Sequence, residues 1–197
     1  MKKGIAFFDF DGTITTKDTL LEFIKFCKGT TAFYSGFLLN AHFLVSYKLK
    51  IISNQVAKEK ILKYFFHNMP AEDFAEKCAL FSSEVLPALI RPKALEEISR
   101  LKAEGYVVVV VSASPENWIQ EWAKNEKLEL IASRLEIKDG KITGRIVGKN
   151  CHGEEKVRRI MEKYVVTDYT TIHAYGDTSG DRQMLALANH SFFKPFR

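Results

Sequence analysis

The sequence predicts an α/β fold: a doubly wound, mostly parallel sheet with an all-helical insertion after its first strand and a small β-hairpin. Three observations carry this expectation. An apolar run, "GIAFF", drives into the acidic turn "DFDGT". A second run, "YVVVVVS" at residues 106–112, places five valines in a row, the signature of a strand covered on both faces. Strand and helix patterns then alternate on both sides of a block whose periodicity is helical.

The elements follow in order. Residues 4–10 read as a short buried strand. From about 16 to 90 the pattern predicts helices at 18–28, 32–50, 54–66 and 71–85, the last opened by Met69-Pro70 with acids in its first turn. Pro92 starts an amphipathic helix over 92–104, which Gly105 closes. After the valine strand come a helix at 115–125, a strand near 129–132, and "RLEIKDGKITGRI", which alternates around Asp139-Gly140 and predicts a hairpin. A helix over 154–164, a strand over 169–177 ending in Asp177, and the helix of "DRQMLALA" complete the pattern. The terminal "FFKPFR" fits either a tail tucked onto the core or a membrane contact. The expected division is a core of 1–15 and 91–197, with 16–90 inserted.

The chain has 197 residues, 46% of them hydrophobic and 27% charged, so one domain with a sizeable core is feasible. The formal charge of +5 suits a soluble protein and also an anionic substrate or surface. Cys27, Cys78 and Cys151 have no metal or disulfide spacing, which predicts reduced thiols and a cytoplasmic setting. Asp9 cuts the first apolar run too early for a signal peptide. No basic–aromatic alternation suggests nucleic acid; Trp118, Trp122 and Tyr175 read as packing groups. No obligate protein partner is implied.

Residues 29–47 contain no charge. Asn40, His42 and the Ser/Thr groups make a membrane span a poor fit. As a helix, the stretch places Ser35, His42 and Ser46 on a polar strip and Phe33, Phe37, Ala41, Leu44 and Val45 on an apolar face. Two readings stand: a helix packed in a bundle, or one that touches lipid, with peripheral contact at the inner face of a membrane.

The strand ends carry the chemistry. In doubly wound sheets ligands sit beyond the carboxyl ends of the strands, so Asp9/Asp11, Ser112 and Asp177 are expected to meet. Asp9 and Asp11, two apart in an extended segment, share a side. Crowded carboxylates are costly without a cation, and Asp177 and Asp181 add two more. A hard, oxygen-loving ion such as Mg²⁺ resolves this and leaves positions for substrate oxygens. Thr13 and Ser112 offer hydroxyls; Gly12 and the Ala113-Ser114 turn offer backbone N–H groups to a phosphoryl anion. Lys156 is placed to neutralise a phosphate oxygen. With no Ser–His or Cys–His pair evident, a carboxylate is the natural nucleophile, forming an acyl-phosphate that water hydrolyses.

In that order "DFDGT", "VVVVVSAS", "GEEK" and "GDTSGD" resemble the four motifs of the haloacid-dehalogenase-like hydrolase superfamily, with a Rossmann-like core. The helical insertion resembles that superfamily's type-one cap. The resemblance implies that Asp9 is nucleophile and metal ligand. Asp11 becomes the general acid/base, with its backbone carbonyl on the metal, and that second aspartate favours phosphatases over true dehalogenases. Ser112 is the phosphate-binding hydroxyl, Lys156 the stabilising lysine, Asp177 a metal ligand and Asp181 its support.

The order and cap resemble the subclass containing phosphoserine phosphatase, with three departures. Ser112-Ala113-Ser114-Pro115 stands where that enzyme has Ser-Gly-Gly, and Gly180 stands where it has Asn. Residues 15–90 contain no arginine to grip a substrate carboxylate, and lysines lack the bidentate fork. Asp18 does fall near the amine-binding acid, and His152, beside the third motif, is a further specificity candidate. "SASPENWIQEW" and the uncharged stretch resemble the branch containing phosphatidylglycerophosphate phosphatases. The expected substrate is therefore a small or lipid-headgroup phosphomonoester, with a phosphoserine phosphatase-type metabolite enzyme as the alternative. A phosphomutase or a non-catalytic phosphate-binding protein are more remote readings.

Overall fold

A computed structural model describes residues 2–197. Five strands form one parallel sheet in the order β3-β2-β1-β6-β7, where β1 is Lys2–Phe8, β2 Tyr106–Pro115, β3 Glu129–Ser133, β6 Tyr169–Gly176 and β7 His190–Phe193. The central registers pair Phe7 with Val109 on one side and with Ala174 on the other. Ile5, Phe7, Phe8 and Val109 to Val111 are fully buried, because both faces of a parallel sheet are covered. The chain leaves β1 toward β2 on one side and returns to β6 on the other. That reversal of winding direction opens a crevice at the carboxyl ends.

The insertion between β1 and α6 (Pro92–Ala103) is all helical: α1 (Thr19–Leu39), α2 (Ala41–Lys48), α3 (Asn54–Phe66), α4 (Ala71–Leu80) and α5 (Leu86–Leu89). Its two ends run side by side, with Thr16 N donating to Leu89 O and Arg91 N to Ile14 O, each at 2.8 Å. Phe23, fully buried, lies against the rings of Phe66, Phe74 and Phe81 and stacks on Trp118 of the core at 4.6 Å. Each such aromatic pair contributes about 0.5–1.5 kcal/mol beyond area burial; of these, Phe23–Trp118 joins the insertion to the core and the others hold the insertion together.

The expected helix over 32–50 is a correction. Asn40 leaves helical geometry, at φ −100° and ψ 10°, and its Nδ2 donates to Gly36 O at 2.8 Å, ending α1 and starting α2. Gly29, at φ 79°, already bends α1. A side-chain amide that competes for helix carbonyls is invisible to apolar periodicity. The helix expected at 115–125 also starts late: β2 runs to Pro115, and α7 is Gln120–Asn125 after a 3₁₀ turn. The first strand ends at Phe8, two residues early.

The hairpin of β4 (Leu135–Lys138) and β5 (Lys141–Ile146) turns at Asp139-Gly140, both with positive φ, as expected. Its outer face packs on the insertion, where Asn68 N donates to Ile142 O and Ala71 N to Gly140 O. The parallel edge strand β7 was not anticipated. The tail beyond it tucks onto the core: Phe196 stacks with Tyr175 at 5.7 Å, and Tyr175 stacks with Phe8 at 4.1 Å. α8 (Glu154–Lys163) and α9 (Arg182–Ala186) flank the sheet.

Candidate active site

The carboxyl ends of β1, β2 and β6 converge on Lys156 from the first turn of α8. Its ammonium, 1% exposed, donates to Asp9 Oδ1 at 2.5 Å, to Asp181 Oδ1 at 2.7 Å and to the Val111 carbonyl at 2.7 Å. Burial alone would lower its pKa, but Asp9 and Asp181 outweigh burial and hold it above the ordinary lysine value. Asp9 follows β1 directly, its N–H donating to Tyr175 O, and Thr13 Oγ1 donates to Asp9 Oδ2 at 3.3 Å. Burial pushes Asp9 up to about 7 against the pull of Lys156.

Asp181 sits in a capping box: its Oδ2 accepts from Asp177 N, Thr178 N and Thr178 Oγ1. Burial opposes its charge, yet Lys156 and these donors keep its pKa below the usual carboxylate value. Burial and then Asp181 raise that of Asp177. One Asp177 oxygen accepts from Arg197 at 2.5 Å, while Oδ1 is buried without a partner.

Carboxylate oxygens of Asp9, Asp177 and Asp181 lie within 4.8 Å of one another. Three buried acids face one buried ammonium, and one oxygen is orphaned. That donor set fits a hard divalent cation such as Mg²⁺, which would favour the charged form of Asp9 against the effect of burial.

Asp11 does not stand in this cluster. Its carboxylate accepts from Thr19 N and Thr19 Oγ1 at 2.6 Å through one oxygen and from Ser114 Oγ at 2.6 Å through the other. Trp118 Nε1 donates to Thr19 Oγ1 at 3.1 Å, so a fully buried indole completes the chain that orients this acid. Asp9 and Asp11, expected on one side of an extended segment, take their hydrogen bonds from different partners. The backbone turns at Gly12, φ 84°, immediately after Asp11. A Cβ there would lie 2.4 Å from Asp177 Oδ2, so glycine is required by both conformation and contact.

Ser112 is fully buried at the end of β2, its hydroxyl accepting from Ser114 N at 3.0 Å. The carbonyl of the intervening Ala113 accepts from Lys58 Nζ at 3.0 Å. Lys58 comes from α3; burial lowers its pKa, opposed by Asp18 and then Asp11. Asp18 itself caps α1, accepting from Leu21 N. His152 packs over Gly180: a Cβ at 180 would meet His152 Nε2 at 2.3 Å. The imidazole thus fills the space beside the glycine noted in the fourth motif. Burial, followed by Lys156 and Lys58, lowers the His152 pKa. His152 lines a cavity of about 760 Å³ with Tyr47, Asn54, Gln55, Lys149 and Arg158.

The fold therefore gathers Asp9, Thr13, Lys156, Asp177 and Asp181, and sets Asp11 beside them on the Thr19–Ser114 side. Thr19 and Arg197 were not singled out from the sequence, and Lys58 figured there only as one of the insertion's lysines. Thr19 follows Asp18 and had a local signal; Lys58 and Arg197 had none, being 49 and 188 residues from Asp9.

Comparison with known proteins agrees with this geometry. The haloacid dehalogenase-like hydrolase family model matches residues 6–186. The chain is 33% identical over 192 residues to protein CicA of Caulobacter vibrioides, covering 96% of this chain and 85% of that one. It is 29% identical over 198 residues to the probable phosphatase Rv3661 of Mycobacterium tuberculosis, covering 94% and 67% respectively. Among solved structures, a phospho-aspartyl intermediate analogue of phosphoserine phosphatase shares the fold, with TM-score 0.70, 22% identity, and 97% and 86% of the two chains covered. With motifs, strand order and family match in agreement, the chain belongs to the haloacid dehalogenase-like hydrolase family.

Proposed function

We propose that the protein is a phosphomonoesterase that transfers the phosphoryl group to Asp9 before water releases it. The observation that carries this reading is the buried Asp9–Lys156–Asp181 array at the strand ends. An Asp9 oxygen attacks phosphorus, the P–O bond to the leaving alcohol breaks, and Asp11 gives that alkoxide its proton. Asp11 then takes a proton from water as the water oxygen attacks the acyl-phosphate, and the Asp9–phosphorus bond breaks to free phosphate. Thr19, Ser114 and Trp118 hold Asp11 in place for both transfers. Lys156 neutralises charge, and Thr13, Ser112 and the Ala113 backbone bind phosphoryl oxygens. The phospho-aspartyl analogue solved for phosphoserine phosphatase supports the same covalent chemistry here. Mg²⁺, held by Asp9 and Asp177 with Asp181 behind them and by the Asp11 carbonyl, would supply charge neutralisation at the transferring group.

The helical insertion, residues 16–90, acts as a cap over the core of 1–15 and 91–197, and Lys58 is its cation facing the site. The leaving group is read as a lipid headgroup, because the insertion has no arginine and presents exposed apolar residues beside lysines. A phosphoserine-like metabolite is the second reading, favoured by Asp18 at the start of α1.

The test is phosphate release in Mg²⁺ from p-nitrophenyl phosphate, phosphoserine and phosphatidylglycerophosphate. Asp9→Asn is expected to keep the fold and reduce turnover of every substrate to background. Retained Mg²⁺-dependent turnover in that variant would remove Asp9 as nucleophile.

A further inference from the structure

We infer that the elbow between α1 and α2, with the loop after α2, is a docking surface for an anionic lipid bilayer. This rests on the lipid-headgroup reading and names the surface that delivers such a substrate. The elbow exposes large aliphatic side chains that have no reason to face water: Leu38 is 78% exposed, Leu39 65%, Leu49 65% and Ile51 71%. Scattered single apolar residues on a surface are ordinary; here they come in pairs, Leu38 with Leu39 before α2 and Leu49 with Ile51 after it.

Charge names the occupant. Between Glu22 and Glu59 there is no acidic residue in the sequence, which includes the whole of the elbow, α2 and the loop after it. Lys48 and Lys50 are exposed and directly flank the exposed Leu49. Apolar side chains flanked by two exposed lysines complement a surface whose headgroups are anionic and whose interior is apolar. No helix among the described residues is long and apolar enough to cross a membrane.

A cavity beside the site adjoins α2. Tyr47, the penultimate residue of α2, lines the 760 Å³ cavity that also holds His152, and Asn54 and Gln55 follow on α3. A headgroup entering that cavity therefore lies one residue from Lys48, while the acyl chains stay in the bilayer against Leu38 and Ile51. The same α3 carries Lys58 to the Ala113 carbonyl.

The test uses the full chain and two vesicle types, pure phosphatidylcholine and phosphatidylcholine mixed with phosphatidylglycerol. The protein is expected to co-sediment with the mixed vesicles and not with the neutral ones, with binding weakened by salt. Leu38→Glu with Ile51→Glu, and separately Lys48→Glu with Lys50→Glu, are expected to weaken vesicle affinity at least about tenfold. Both pairs should keep wild-type turnover of soluble p-nitrophenyl phosphate, since none of the four residues lines the site.

Absence of vesicle binding by the wild type, or equal binding by the variants, overturns the inference. So does a concentration-dependent dimer in solution that the Leu38/Ile51 variant dissolves, because the elbow is then an interface between two copies. Turnover of the soluble ester continuing in any of these cases leaves the phosphatase reading standing. Its loss in the wild type would instead strike that reading.

Discussion

Replacing Lys156 by Met tests the electrostatic core of the site. Met keeps the length and apolar stem of lysine but removes the ammonium that bridges Asp9, Asp181 and the Val111 carbonyl. All three partners are left in a region where the lysine was 1% exposed. Breaking a buried ion pair by deleting one partner costs about 3–5 kcal/mol, because the remaining charge is neither hydrated nor paired. At about 2–4 °C per kcal/mol for a chain of this size, that is a fall in Tm of about 6–20 °C. The assay is thermal unfolding by circular dichroism at neutral pH in chelator, so that no cation stands in for the ammonium.

Asp181→Asn in the Lys156→Met background separates this cause from lost packing. It removes one of the orphaned charges and should recover part of the Tm, whereas in the wild type it should lower it. A Lys156→Met protein that melts within about 2 °C of wild type, or Asp181→Asn effects that are equal in both backgrounds, would refute the reasoning.

Two further outcomes follow from the same geometry. Gly12→Ala forces a Cβ into a position 2.4 Å from Asp177 Oδ2 at a φ of 84°; the carboxylate must move, and Mg²⁺ affinity by isothermal titration is expected to fall at least about tenfold. Unchanged affinity would show that Asp177 is not held there. Glu155 accepts from Arg158 and then Arg159, and these bonds hold its pKa at about 2, below the ordinary 4.5. Its folded pKa is depressed, so its stabilisation is complete above pH 4.5 and is lost as pH falls toward 2. Glu155→Gln should therefore lower Tm at pH 7 and have a much smaller effect at pH 3; an equal loss at both would contradict the assignment.

Local patterns carried much of the fold. The α3 boundaries at 54 and 66, the start of α6 at Pro92 and the Asp139-Gly140 turn were all legible, because caps, prolines and turn residues act within a few positions of themselves. The break at Asn40 was not, since a side-chain bond to Gly36 O leaves the apolar pattern intact. Strand β7 escaped for a related reason: "HSFF" is short and exposed, and it pairs only because β6 offers an open edge.

The sequence by itself determined the family and where its acids collect. Acids that follow buried strands must come together at the carboxyl edge of a parallel sheet, because β1, β2 and β6 are adjacent by topology. Only the tertiary structure decided which partners each of those acids meets. It turned Asp11 toward Thr19 and Ser114, joined Asp177 and Asp181 to Asp9, and brought Lys58 and Arg197 to the site from distant segments. It also decided which apolar residues of the insertion are buried and which, like Leu38 and Ile51, face outward. The reason is range: periodicity and spacing report on neighbours in the chain. Charge pairing and burial are settled by groups that meet only after the chain has closed on itself.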